Sequence, residues 1–417
     1  MFATGVHWGP PSFEGSYPMV MTAETDIAVQ LVEQARALIP ELRGRATQTS
    51  TDRRLPRETI ADLRTAGSMK ILQSTLNGGY GLGIRDHLDV VAALGEGCGS
   101  TAWVMGVVHA HSWLMSHIST EAQLETYRTD PDTMISAVIG PRGTAHRTAD
   151  GYVLSGVWPF TSGCENSDWL LLGGMVKDGD EVVDVGDFLI PTSSVTILDD
   201  WKTVGLSGTG SCTTKVTELA VPAHRFLSLP FMFSPTAMMG TTPDAATQEG
   251  WNHRCAPVPV LSIALTGSAI GIARQALADF PALIQGKTIA YTMDDQYSHP
   301  NTHRMAAEAA MLIYEGERIL YHCADQIDAA AMAGEEVPFL TRARMRLDCA
   351  QGVRRCLEGV EVLFKASGAS GIRTSSPLTR AVADLRAVNQ HGLLNLEMNQ
   401  ELYGRVLLGL ESNGPLI

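Results

Sequence analysis

The sequence predicts an α+β, multidomain protein: a helical N-terminal region, a central β domain and a helical C-terminal bundle. Three observations point there. At 417 residues the chain exceeds what one ordinary hydrophobic core supports, so two or three packed units are expected. Apolar residues recur at helical spacing in the first and last thirds of the chain. Between them they fall into short β-rich runs broken by turn signals. The expected boundaries are a tail over 1–24, helices over 25–133, the β domain over 134–232 and the bundle over 233–417.

In chain order, residues 1–20 are rich in Gly, Pro and aromatics without periodicity, and lack the basic start and apolar core of a signal peptide. From Thr25, Ile27, Leu31, Ala35 and Leu38 share one helical face. A second helix lies between Pro56 and Gly67, the usual Pro-first, Gly-last asymmetry. The loop Asn77-Gly-Gly-Tyr-Gly81 leads to helices over 86–97 and 100–117, with Ser100 or Thr101 as N-cap of the latter. Strands are expected over 134–139, 151–160, 169–176, 187–190, 195–198 and 213–221, as a small antiparallel barrel or sandwich. A Pro/Met/Gly-rich connection over 230–250 precedes helices over 258–285, 302–332, 338–367 and 376–391, with a terminal helix over 398–410.

Composition excludes several function classes. Hydrophobic residues make up 45% and charged residues 18%, a globular balance. A net charge of −14 argues against a nucleic-acid partner, which needs a basic face. No uninterrupted apolar run reaches the roughly 18 residues of a membrane span, so no membrane partner is expected. Seven cysteines without CxxC spacing read as reduced thiols of a cytoplasmic protein. Gly205-Leu-Ser-Gly-Thr-Gly210 looks like a phosphate loop, but no βαβ unit surrounds it. A nicotinamide dinucleotide site is therefore excluded. His299 and His303 have metal-like spacing, yet Pro300 and the polar setting favour a loop over a zinc site, and no metal is expected.

Two segments carry chemistry: Gly99-Ser-Thr-Ala-Trp-Val-Met-Gly-Val-Val-His-Ala-His111 and Trp158-Pro-Phe-Thr-Ser-Gly-Cys164. Together, in this order, they resemble the flavin-facing segments of two-component, flavin-dependent monooxygenases built on the acyl-CoA dehydrogenase fold. The closest pattern is that of the oxygenase components acting on 4-hydroxyphenylacetate and on phenolic secosteroids. The resemblance runs from about Leu55 to the C-terminus. It implies reduced FAD or FMN delivered by a separate NAD(P)H:flavin reductase, O2 as co-substrate, a flavin hydroperoxide, and hydroxylation of an aromatic substrate.

The same resemblance assigns roles. Ser162 matches the serine at flavin N5, beside Thr161, and Trp103 matches the tryptophan lining the flavin ring; read alone, such residues are more commonly a strand-end serine and a buried helix tryptophan. His111 matches the family's base, a fitting task for the side chain that titrates nearest neutrality. His391, in Val388-Asn-Gln-His-Gly392, matches a second active-site histidine. Lone histidines in apolar helices are usually core residues, the reading given to His109, His117 and His322. Lys287 matches a basic residue supplied by a neighbouring subunit, and Ser370, in Ser367-Gly-Ala-Ser-Gly371, a flavin-contacting turn; the plain alternatives are a solvated lysine and a helix C-cap. Shared sites imply a homotetramer. Trp201–Ser211 resembles a turn of the family's β domain.

One departure concerns the substrate. The family opens its β domain on a serine run whose middle hydroxyl contacts the substrate, whereas here Ser136 is followed by Ala137. A pocket with one donor fewer suits a bulkier phenolic, polycyclic or indolic ring. The C-terminal loop reads Gln390-His-Gly392 in place of the glutamate base of acyl-CoA dehydrogenases, which disfavours that reaction. The nearer rival is an N-oxidising, nitrososynthase-like monooxygenase, whose amine substrate needs a base less.

Overall fold

The computed structural model describes residues 23–234, 237, 242–244 and 250–414. Nearly all of the tail expected over 1–24 and part of the 230–250 connection lie outside these residues.

Six helices come first: α1 (Ala23–Ala37), α2 (Ile39–Asp52), α3 (Arg57–Thr65), α4 (Ile84–Gly97), α5 (Gly99–Leu114) and α6 (Thr120–Tyr127). On α1, Leu31 and Ala35 are buried as expected, while Ile27 faces outward. Helix α2 has no counterpart in the sequence pattern: after Ile39 and Pro40 its stretch is largely polar, with only Leu42, Ala46 and Thr49 buried. Helix α5 is buried along its whole length. Its N-cap is Cys98, whose extended backbone puts its carbonyl in reach of the Ala102 N–H at 3.0 Å. Ser100 and Thr101, expected at the cap, lie inside the first turn.

The strands are β1 (Ile135–Arg147), β2 (Gly151–Thr161), β3 (Trp169–Asp178), β4 (Glu181–Pro191), β5 (Thr196–Leu198), β6 (Cys212–Pro222) and β7 (Phe226–Ser228). They form one seven-stranded sheet ordered β5-β6-β2-β1-β3-β4-β7. The expectation of an antiparallel barrel or sandwich is corrected in its pairing: β1 and β3 run parallel, and the edge strands β5 and β7 are not paired with each other among the described residues. The cause is topological. Strand β2 folds back on one side of β1, so β3 reaches the other side only by crossing over. Alternate residues of β4 separate the two cores: Leu189 joins the helical core, whereas Phe188 and Ile190 join the sheet's own.

After the short helix α7 (Leu229–Met232), the bundle comprises α8 (Pro257–Ile263), α9 (Gly267–Ile284), α10 (Pro300–Ala333), α11 (Phe339–Ala366), α12 (Pro377–Asn389) and α13 (Leu396–Leu407). The single helix expected over 258–285 is broken at 264–266, where the Ala264 carbonyl turns to the buried His87 ring at 3.1 Å. Residues 257–284 include an 18-residue window apolar enough for a membrane span, and 83% of that window is buried inside the protein as a core element. His303 lies within α10, not in a loop, and His322 is exposed on α10, against the core reading it received. His109 and His117 are buried as expected.

Candidate active site

Helix α5 carries Trp103 and His111 two turns apart, so both side chains leave it on one side. Strand β1 docks on this helix. The His111 Nδ1 lies 2.9 Å from the Ile135 carbonyl oxygen, one residue before Ser136. At the far end of β2 the backbone turns sharply: Phe160 adopts φ +67° and Gly163 φ +75°. This turn brings Ser162 under Trp103, whose Nε1–H donates to the Ser162 Oγ at 3.1 Å. Ser136 locks the turn from below, its hydroxyl donating to the Ser162 carbonyl at 2.5 Å and meeting the Ser167 hydroxyl at 2.7 Å. Thr161 points the other way, into the sheet, bonding the Trp158 carbonyl at 3.1 Å and the Thr214 hydroxyl at 3.0 Å. Its side chain is therefore occupied structurally.

His391 lies just beyond α12, not inside the helix expected to 391, and its ring meets Trp103 edge-on at 5.7 Å between centroids. Trp103, Ser162, Ser136, His111 and His391 thus converge from four separate chain segments. Ala137 follows Ser136 on the sheet face that packs against the helical core.

Backbone contacts set the two histidine tautomers. A carbonyl only accepts, so His111 carries its proton on Nδ1 and leaves a lone pair on Nε2, for which the described residues offer no partner. His391 is the reverse: its Nδ1 accepts from the Leu393 N–H at 3.3 Å, which places its proton on Nε2. Burial lowers both rings to about 4, so both are neutral near pH 7. The site therefore presents one nitrogen that accepts and one that donates.

The glycine-rich turn joins the cluster through a chain of hydroxyls. Ser162 Oγ meets Ser211 Oγ at 2.7 Å, Ser211 meets Thr209 Oγ1 at 2.7 Å, and Thr209 donates to the Leu206 carbonyl at 2.8 Å. The Leu206 N–H in turn donates to Asp384 on α12 at 2.7 Å. Burial lifts the Asp384 carboxyl to about 6. Gly205 is packed so closely on α12 that an added Cβ would lie 2.0 Å from the Ala383 carbonyl oxygen. No local sequence pattern joins 162, 209–211 and 384, so Ser211, Thr209 and Asp384 emerge as site residues only in the structure. Asp187 is fully buried on β4, neither carboxyl oxygen has a hydrogen-bond partner among the described residues, and burial raises its pKa well above the usual range. Its only sequence signal was a charge inside an apolar run.

Lys287 and Ser370 form a separate pair: the lysine Nζ donates to the serine hydroxyl at 2.7 Å, and that hydroxyl donates to the Ser367 carbonyl at 3.2 Å. They meet each other, not the Trp103–Ser162 cluster. No group of three or more His, Cys, Asp or Glu fit to hold a metal occurs among the described residues.

A flavin fits the cluster on its own terms. Ser162 Oγ, bonded to Trp103 and Ser211, keeps one free lone pair beside the Trp103 indole, which the His391 imidazole meets in turn.

Comparison with known proteins agrees. Residues 25–130 match the family model for the acyl-CoA dehydrogenase N-terminal domain, and residues 263–396 that for its C-terminal domain. The oxygenase subunit HsaA of a flavin-dependent monooxygenase from Rhodococcus jostii is 33% identical over 93% of this chain and its own full length. The oxygenase component of an FADH2-dependent resorcinol hydroxylase from a Rhizobium species is 31% identical over 94% of this chain and 97% of its own. Among solved structures, XiaF from a Streptomyces species, in complex with FADH2 and glycerol, superposes with a TM-score of 0.89 at 26% identity, covering 94% of this chain and 98% of its own. The chain belongs to the flavin-dependent monooxygenases, as an oxygenase component built on the acyl-CoA dehydrogenase fold.

Proposed function

We propose that this oxygenase component hydroxylates the ring of a bulky phenolic, polycyclic or indolic substrate, using O2 and reduced FAD or FMN supplied by a separate NAD(P)H:flavin reductase. The observation that carries this reading is the pair of opposite tautomers, His111 accepting and His391 donating, beside the Trp103–Ser162 contact. Reduced flavin held there would supply the electrons for O2 activation. The chain's residues do the rest. Trp103 and Ser162 hold the ring edge, and the close packing around them keeps water out. The His111 Nε2 lone pair takes the substrate's hydroxyl proton, which raises electron density on the ring carbon to be oxygenated. The His391 Nε2–H supplies a donor. The small Ala137 side chain leaves room where a serine would contact a smaller phenol, and relatives named for resorcinol and indole-3-acetate support an aromatic substrate class.

We infer further that the protein assembles as a homotetramer in which the Lys287–Ser370 pair faces a neighbour's flavin tail. The segment after Lys287 supports this, since it presents Tyr291 and Met293 almost wholly to solvent. The seven cysteines, all free and buried, suit the reducing cytoplasm.

Expected behaviour in solution follows. The purified chain with NADH, flavin and O2 consumes no NADH, whereas adding a flavin reductase yields hydroxylated aromatic product. Rapid NADH oxidation by the isolated chain overturns the proposal.

A further inference from the structure

The hydrogen-bond chain behind Ser162 has one direction, and both of its ends dictate it. At one end the Trp103 indole nitrogen can only donate, so Ser162 Oγ accepts there at 3.1 Å. At the other end the Leu206 carbonyl can only accept, so Thr209 spends its single hydroxyl proton on it at 2.8 Å. Thr209 Oγ1 therefore accepts from Ser211 across 2.7 Å, which uses the Ser211 proton. The remaining contact, 2.7 Å between Ser211 and Ser162, can be made only by the Ser162 proton. The order is Trp103 to Ser162 to Ser211 to Thr209 to the Leu206 carbonyl. Every hydroxyl donates once, and no other arrangement of protons satisfies all four contacts.

The chain is also anchored against reversal. Leu206, at φ +49°, is held by Asp384 through its N–H, and its carbonyl also accepts from the Trp201 indole at 3.1 Å. Gly208 packs so closely that an added Cβ would lie 2.4 Å from Thr49 and 3.0 Å from the Ser100 hydroxyl. Successive hydroxyls polarise one another in the same sense, which strengthens the whole relay.

We infer that Thr209 and Ser211 fix the Ser162 hydroxyl as a hydrogen-bond acceptor towards the flavin, and that this polarity selects the reduced cofactor. The inference rests on the reading of Ser162 as the partner of flavin N5. In reduced flavin N5 carries a hydrogen and donates; in oxidised flavin N5 carries a lone pair and can only accept. Ser162, its own proton turned away to Ser211, offers N5 a lone pair. A reduced ring gains a hydrogen bond there, whereas an oxidised ring meets lone pair against lone pair, or must break the relay to obtain a donor. Such selectivity suits an oxygenase component: it takes reduced flavin from solution and resists occupation by the oxidised form. Thr209 and Ser211 are thus positioning residues that act through Ser162.

The test is a binding measurement that requires no turnover. Dissociation constants are measured for oxidised and for dithionite-reduced FMN and FAD, anaerobically, in the wild type and in Ser211→Ala, Thr209→Val, Thr209→Ser and Ser162→Ala, after thermal melting has shown each to be folded. In Ser211→Ala the Ser162 proton loses its acceptor and is free to turn to N5. Oxidised flavin should then bind tighter, reduced flavin should change little, and the ratio of the two constants should fall roughly tenfold, the effect of one hydrogen bond. Thr209→Val should lower the ratio in the same sense, because it frees the Ser211 proton to turn back on Ser162, while Thr209→Ser retains the wild-type ratio. An unchanged ratio in both Ser211→Ala and Thr209→Val, with reduced-flavin binding weakened in Ser162→Ala, overturns the polarity inference and leaves Ser162 as a flavin contact. Unchanged reduced-flavin binding in Ser162→Ala overturns the N5 reading together with the inference.

Discussion

Replacing His111 with Ala is expected to slow aromatic hydroxylation at neutral pH by about 10²–10⁴-fold, the usual contribution of a positioned general base, while the variant still binds reduced flavin. The loss should be greatest below the pKa of the substrate hydroxyl and should shrink as alkaline buffer ionises the substrate without help. The wild type has its own signature. Because burial pushes His111 down to about 4, its accepting neutral form is present above that pH and is lost only as the pH falls through it. Proton uptake by this residue should therefore leave the wild-type rate intact through the range where an ordinary histidine titrates, near 6.5. His391→Ala should also couple oxygen consumption poorly to product, with less recovery in alkali, since what it removes is a donor. Product formation against pH, with reduced flavin supplied in excess, measures all of this. If His111 is only a core residue, the variant loses stability, flavin binding and turnover together. Wild-type rates across the pH range in a folded His111→Ala protein would exclude it from catalysis and bring the amine-oxidising reading forward.

The second large effect is expected far from any reacting atom. Gly205→Ala should lower stability by about 1–3 kcal/mol, the usual range for overpacking, because the new methyl meets the Ala383 backbone, which has no side-chain freedom to yield. It should also lower the preference for reduced over oxidised flavin by roughly tenfold, since a turn lifted off α12 withdraws Ser211 from Ser162. Gly404→Ala is the control. Gly404 lies in α13 with nothing within 4 Å of an added Cβ, so the change should stabilise slightly through helix propensity. Thermal midpoints and flavin titrations of the two variants make the comparison. A Gly205→Ala protein that melts and binds like the wild type would show that the turn does not depend on this close packing.

How far the sequence went can be seen in single residues. The helix–sheet–helix order and most element positions were legible, because apolar spacing reports directly on a buried face. Trp103, Ser162, His111 and His391 were legible only through their motifs, and the structure brings them together. Helix α2 escaped because Pro40, Gly44 and a run of polar residues mask its narrow buried face. The parallel β1–β3 pair escaped because strand patterning reports which face is buried, not which neighbour is bonded. Thr161 and Ser162 part at the turn that ends β2: the backbone turns sharply at Phe160 and Gly163, so the Ser162 side chain meets Trp103 while that of Thr161 bonds Thr214. Ser211, Thr209 and Asp384 could not be found locally, because their role depends on proton direction in contacts between distant segments.

Isotope labelling tests the central claim most directly. Chemically reduced flavin is mixed with the protein and a panel of phenolic, polycyclic and indolic substrates under ¹⁸O2, with no reductase present, and the product is weighed by mass spectrometry. The account predicts that one atom of ¹⁸O enters the hydroxylated ring, that none enters from labelled water, and that no acyl-CoA reduces the bound flavin. A product whose new oxygen comes from water, or flavin reduced by an acyl-CoA, would contradict it.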